Sequence, residues 1–216
     1  MRISRFALIA ATAVAAAGCS SDSTTAPSIQ NIHPGLPTGW SAVGTNTLTY
    51  VLGLDNATVH GGHAALSMAG SDTNRARFIG VGQFLSAANY LGKRIRFSAF
   101  VRVTNAQGAD IGLWMRVDGV GVTEGFDNFS TRPLLGTTGW QQVEIILDIP
   151  NDAVGIAFGA LMSGSGQFSV DDMKFEVIPA SGQTTNLLSG NTPIDSDPSA
   201  FYATRPKAPT NLDFEQ

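Results

Sequence analysis

The chain has 216 residues, with 17 Asp and Glu against 13 Lys and Arg, a formal charge of -4. That balance lacks the basic surface a phosphate backbone requires, so no nucleic-acid partner is expected. With 24 glycines, 14% charged residues and a single cysteine, the composition suits a turn-rich β protein without internal disulfides.

The first segment, Met1-Arg2-Ile3-Ser4-Arg5, is basic and leads into an uncharged apolar run over residues 6–17. This is the layout of a secretory signal, and about a dozen apolar residues fall short of the roughly twenty a membrane-spanning helix needs. Ala16-Ala17-Gly18 sets small residues directly before Cys19. The run resembles the lipobox cut by the lipoprotein signal peptidase, with Ala16 where a leucine is usual. It implies a signal peptide over residues 1–18, lipidation at Cys19 and an exported envelope protein held to a membrane by its acyl chains. Acylation at the thiol and at the new amino terminus would give the two or so chains that stable anchoring takes. Ser20 and Ser21 favour the outer membrane by the sorting rule of enteric bacteria. The alternative, a buried free thiol, suits Cys19 poorly among Ser20, Ser21, Asp22, Ser23 and Thr24.

Residues 19–37 are rich in Ser, Thr, Pro and Gly and read as the lipidated cysteine followed by a flexible tether. Apolar stretches of strand length follow at 47–54, 64–69, 78–85, 94–103, 111–117, 141–149, 154–161 and 167–177, separated by Gly, Asn and Asp turn signals. Side chains on a strand alternate between faces. Ile95, Phe97, Ala99, Val101 and Val103 therefore oppose Arg94, Arg96, Ser98, Phe100 and Arg102. Leu113, Met115 and Val117 likewise oppose Trp114, Arg116 and Asp118, and Val143, Ile145, Leu147 and Ile149 oppose Glu144 and Asp148. Many short strands at this spacing predict an all-β fold, a jelly-roll β-sandwich of about eight or nine antiparallel strands spanning residues 38–178. Residues 179–210 are again rich in Pro, Ser and Thr and read as a surface excursion. The alternation of Leu212 and Phe214 predicts a closing strand over 211–216.

Gly92-Lys-Arg-Ile-Arg-Phe-Ser-Ala99, Leu113-Trp-Met-Arg-Val-Asp-Gly119, Phe126-Asp-Asn128, Arg132-Pro133, Gly136-Thr-Thr-Gly-Trp-Gln141, Asp152-Ala-Val-Gly-Ile-Ala-Phe158 and Val170-Asp-Asp172 resemble a bacterial jelly-roll module. That module occurs alone in exported proteins and attached to transcription regulators, and its layout is similar to the galactose-binding-like carbohydrate-binding modules. Asn211-Leu-Asp-Phe-Glu215 resembles the strand that opens many such modules, placed here at the carboxyl end as in a circular permutation. The resemblance implies a sandwich that binds carbohydrate without catalysis. It also implies a structural calcium ion held by Asp171 or Asp172 together with Glu215. The alternative for these carboxylates is a solvated bulge at Asp171-Asp172 and a frayed terminus at Glu215.

The candidate ligand residues come from the faces and the loops. Trp114 and Arg116, joined by Phe100 and Arg102, would form a platform on which a sugar ring stacks while Arg donates to its hydroxyls. Against this, large aromatics are mostly buried, and a loop could cover Trp114 as part of a second apolar layer. Asp127, Asn128 and Arg132 lie in a glycine-rich connection where binding residues often sit, but Asp and Asn also shape loops by bonding their own backbone, with Arg132 paired to Asp127. His60 and His63 flank two glycines and read as a solvated turn, because zinc needs a third ligand that the local sequence does not offer. No phosphate loop, nucleophile elbow or His-Glu-x-x-His run is present. Glu124 with Asp127, or Glu144 with Asp148, is the kind of carboxylate pair a glycosidase uses. A glycan-active hydrolase is therefore the alternative to a binding module, and a structural lipoprotein without a small ligand is the third class.

Overall fold

The two apolar alternations that bracket residue 108 belong to one bent strand. In the computed structural model, which describes residues 35–45, 49–71 and 77–215, the elements are β1 (Ser41–Gly44), β2 (Tyr50–Asp55), β3 (Ala65–Ser71), β4 (Ile79–Ser86), β5 (Arg94–Gly119), β6 (Val122–Asp127), β7 (Gly136–Asp148), β8 (Gly155–Ile178), β9 (Thr192–Pro193) and one short helix, α1 (Ser199–Ala203). All pairings among these strands are antiparallel. Cys19 and the segment around it lie outside the described residues. No helix among the described residues is long and apolar enough to cross a membrane.

β5 and β8 run side by side over nearly their whole length and each serves two layers. The first half of β5 and the second half of β8 lie between β3 and β7, giving the order β2-β3-β8-β5-β7 in layer one. Their other halves lie between β4 and β6, giving β1-β4-β8-β5-β6-β9 in layer two. The passage between layers is marked by register shifts in β5 between Thr104 and Gln107 and between Gly108 and Asp110. Opposite them, Gly164 and Gly166 take positive φ angles of 139° and 103°. A Cβ at Gly164 would collide with the Gln107 carbonyl, so only glycine lets the two backbones bend together there. Strands that turn a corner in this way convert one ladder into a two-layer jelly roll.

The inner faces follow the sequence alternation. Ile95, Phe97, Val101, Leu113, Met115, Val117, Ile145 and Leu147 are fully buried. Phe158 of layer two meets Phe97 of layer one at 4.9 Å between ring centroids and Phe175 at 4.7 Å, while Trp40 meets it edge-on at 6.0 Å. Each such side chain contributes roughly 1.5–3 kcal/mol through burial, and rings from both layers share one core.

Two regions differ from the sequence reading. The segment 179–210 is a strap sewn onto the sandwich. Thr185 and Leu187 donate their N–H groups to the carbonyls of Ile146 and Phe126, both at 2.8 Å. β9 then pairs with β6, and α1 follows. Beyond α1 the Pro206 carbonyl accepts the Ser86 N–H at 2.9 Å. Its backbone groups find partners on strand edges and its Tyr202 is 1% exposed, contacts that a Pro- and Ser-rich composition does not reveal. The segment 211–215 docks through turns rather than as a strand. Asn211 and Phe214 have φ angles of 48° and 59°, left-handed positions that cannot continue a ladder. The docking is nevertheless firm: Phe214 is 1% exposed and its ring lies 5.2 Å from Trp40, and the Trp40 indole N–H donates to the Asn211 carbonyl at 2.8 Å.

Candidate functional site

The residues proposed as one platform are divided between two faces. Phe100 and Arg102 lie on the layer-one half of β5, paired with Asp171 and Ser169 of β8. Trp114 and Arg116 lie on its layer-two half, paired with Gly159 and Ala157. All four point away from the core, but the layers face each other, so their outer sides point in opposite directions. The single platform is therefore corrected to two separate surfaces.

On the outer side of layer two, Trp114 is half-buried and lies across the sheet. Gly159 beside it on β8 carries no side chain, and the indole reaches over it to β4, where its Nε1–H donates to the Val81 carbonyl at 3.1 Å. A Cβ at Gly82 would stand 2.7 Å from the indole ring, so glycine there allows the ring to rest on the backbone. The next row across the sheet is Arg116, Ala157 and Phe84. The Phe84 ring meets Phe201 of α1 edge-on at 5.5 Å, and the Arg205 guanidinium stands 4.0 Å over the Phe201 ring. Arg116 donates from Nε and Nη2 to Asp118 Oδ2 at 3.1 and 2.8 Å. Burial opposes the charge on Arg116, but the Asp118 carboxylate and Tyr202 more than offset it and the guanidinium is held firmly cationic. Trp114 is neither in the core nor under a loop that hides it completely.

On the outer side of layer one, His60 stacks on Phe100 at 3.6 Å and 10°, with Trp140 edge-on to it at 5.7 Å. His60 Nδ1 is hydrogen-bonded to Asp172 Oδ2 at 2.6 Å. The turn carrying His60 and His63, read from sequence as solvated, is thus gripped by acids from distant parts of the chain. Asp171 Oδ2 accepts the N–H groups of His60 and Gly61 at 2.8 and 3.1 Å, and Glu215 Oε1 accepts those of His63 and Ala64 at 2.7 and 3.1 Å. These bonds hold the Glu215 carboxyl below its usual range. Asp172, at φ 48°, lies in the bulge of β8 from which Asp171 and Asp172 meet the loop, while Glu215 reaches it from the carboxyl end.

Oxygens of Asp171 and Glu215 are already aimed at backbone donors, and among the described residues no group of three or more His, Cys, Asp or Glu is arranged to hold a metal ion. The carboxylates themselves join loop 60–64 to the carboxyl end.

The glycine-rich connection is organised internally. Asp127, fully buried, accepts Arg132 Nη1 and Nη2 at 3.1 and 2.7 Å and the Phe129 N–H at 3.0 Å. Asn128 accepts the Ser130 N–H at 3.2 Å, and the Arg132 guanidinium lies 3.9 Å over the Phe129 ring. Of the carboxylate pairs considered for hydrolysis, Asp127 is held by Arg132 and Asp148 by Arg94 at 2.7 Å. At Glu124, burial and the nearby Asp152 and Asp118 raise the pKa, and Oε2 is buried with no hydrogen-bond partner.

Sequence alternation had placed Asp118 beside Trp114 and Arg116. It offered no signal for Phe84, Phe201, Tyr202 or the His60 stack, all of which depend on packing between distant segments.

No family model matches the chain. It is 34% identical over 181 residues to an uncharacterized HTH-type transcriptional regulator, YbfP, of Bacillus subtilis (strain 168). That match takes in 82% of this chain and 57% of the regulator, so the chain spans little more than half the length of this relative. Among solved structures, it is similar to the CBM22-1 xylan-binding domain of Paenibacillus barcinonensis Xyn10C, with a TM-score of 0.46 and 13% identity, covering 68% of this chain and 90% of that one. It is also similar to TmCBM61 in complex with β-1,4-galactotriose, with a TM-score of 0.45 and 15% identity over 67% of this chain and 92% of that one. The enzymatically active domain of bacteriophage CBA120 tailspike protein 4 matches 65% of this chain and 20% of that one, with a TM-score of 0.48 and 11% identity.

Proposed function

We propose that the folded unit is a non-catalytic binding domain for carbohydrate and that its site is the outer side of layer two. The observation that carries this is Trp114, laid across a glycine-floored sheet and half-buried, with its Nε1–H tied to Val81. An indole held flat offers one apolar face to a sugar ring at little entropic cost, since its rotamer is already fixed. Arg116 in the adjoining row supplies directed donors. Its charge is balanced by Asp118 at 2.8 Å, so the surface suits a neutral sugar better than a uronate or a sulfated one. Glu124 is a single raised carboxyl, while Asp127, the carboxylate that could pair with it, is held by Arg132 at 2.7 Å, and this supports binding over hydrolysis.

The test is a glycan array probed with the full chain beside hydrolysis assays on the sugars that bind. Binding of neutral glycans without turnover is the expected result, and turnover would replace the binding module with an enzyme. No binding to any glycan would leave the structural reading.

The export signal supports a second element of the proposal, that the domain is anchored to the cell envelope through lipid on Cys19, with the outer membrane favoured. Cys19→Ser should leave the protein unlipidated and either soluble or uncleaved. An unmodified Cys19 found by mass spectrometry in the membrane fraction would exclude the anchor.

A further inference from the structure

The outer side of layer two contains a buried polar network that stacking on Trp114 does not explain. Asp118, fully buried, accepts Arg116 Nε and Nη2 and, on the same oxygen, the Tyr202 hydroxyl at 2.7 Å. Its other oxygen lies 3.4 Å from Thr123 Oγ1. Tyr202 arrives from α1, at the far side of the strap, and its ring lies over Gly155, where any side chain would collide with it. Gly155 pairs with both Asp118 and Ser86, so the ring caps the row directly beyond Arg116 and Phe84. Burial and the neighbouring Asp118 carboxylate push the phenol far above its usual range, which keeps the hydroxyl a donor.

A buried ion pair with a phenol is a poor way to add stability, because apolar replacements of similar volume are often as stable or more so. It is a good way to fix an orientation. With Nε and Nη2 both held on one carboxylate, the guanidinium plane of Arg116 is set, and its side chain remains 13% exposed beside the Trp114 row. The third donor to that carboxylate, Tyr202, fixes Asp118 in turn.

Building on the carbohydrate reading of this face, we infer that α1 is a specificity element of the site: Tyr202 is a positioning residue that, through Asp118, sets the direction in which Arg116 presents its N–H groups to a sugar.

Tyr202→Phe keeps the ring over Gly155 and removes only the hydroxyl, so the fold should survive with a melting temperature a few degrees lower at most. Its affinity for the glycan should fall about 5- to 10-fold, the effect of one misdirected hydrogen bond. Arg116→Ala should weaken binding at least as much, and Tyr202→Phe should add nothing in that background. A purely structural tyrosine would give additive losses. Independently of any sugar, the Arg116 Nε–H resonance should exchange slowly with solvent in the parent chain and faster in Tyr202→Phe. Unchanged exchange, undiminished affinity or additive losses would each overturn the inference. Full glycan binding by Trp114→Ala would instead refute the choice of face, and the Arg116 exchange measurement would still decide whether Tyr202 orients it.

Discussion

The two outer faces of the sandwich are built by the same strand and are covered differently. On layer one Phe100 of β5 is covered by its own chain: it lies under His60, and the turn that carries His60 is held by Asp171, Asp172 and Glu215. On layer two the outward Trp114 rests on backbone and is half-buried, and the distant strap brings Tyr202 over Gly155 and Phe201 against Phe84. Phe100 on one face closes the structure, while on the other Trp114 is the residue we propose for sugar stacking. An aromatic–Arg pattern along a strand therefore does not distinguish a clasp from a binding surface, which depends on what the rest of the chain places on top.

The contrast can be broken most forcefully at the acids. Asp118→Ala would strand a buried arginine and a buried phenol, and we expect a loss of about 3–5 kcal/mol in urea unfolding. Asp171→Ala, its counterpart on layer one, should cost about 1–3 kcal/mol, because it leaves two backbone N–H groups at the half-exposed loop without their acceptor. Equal losses would mean that the two faces are held in the same way.

The aromatics should show the opposite division between stability and binding. Trp114→Ala should weaken glycan binding about tenfold or more while the thermal transition stays cooperative. Phe100→Ala should lower the melting temperature by removing the His60 stack and leave binding unchanged. Loss of the cooperative transition in Trp114→Ala would make the indole part of the core.

Acid sharpens the comparison further. The carboxyls of Glu215 and Asp148 are held below their usual range, Glu215 by the N–H groups of His63 and Ala64 and Asp148 by Arg94. A depressed folded-state pKa contributes stability that is present above the unfolded value, near pH 4, and is lost as pH falls through the folded value. Both groups act on layer one, so acid should release loop 60–64 before it disturbs Trp114 fluorescence. Glu215→Gln should flatten part of that pH dependence, and calcium and chelator should give the same melting temperature. A calcium-dependent rise would restore the ion.

The smallest effect is expected at Glu124, whose raised pKa has the opposite sign. Its protonated form is favoured in the fold, so stability falls as pH rises through the folded value, and Glu124→Gln should be slightly more stable than the parent chain at neutral pH. A less stable variant would show that the ionised carboxyl has a favourable partner.

The sequence alone determined which side of each strand enters the core. Period-two alternation is a local property, and Ile95 to Val103, Leu113 to Val117 and Val143 to Ile149 all face inward as their spacing requires. It also placed Asp127 with Arg132, five residues apart, because short-range charge pairing in a turn needs no distant contact. Only the tertiary structure decided which outer face each half of β5 occupies. Parity is unchanged from Phe100 to Trp114, but the strand crosses between layers near Gly164 and Gly166, and no periodicity records a change of layer. The strap was beyond sequence reading for a related reason, and at the carboxyl end the alternation of Leu212 and Phe214 pointed to docking but not to its turn geometry. Tyr202 sits in a segment with no repeating apolar pattern, and both it and Phe214 are ordered by partners far away in the chain: Asp118 and Gly155 for one, Trp40 for the other.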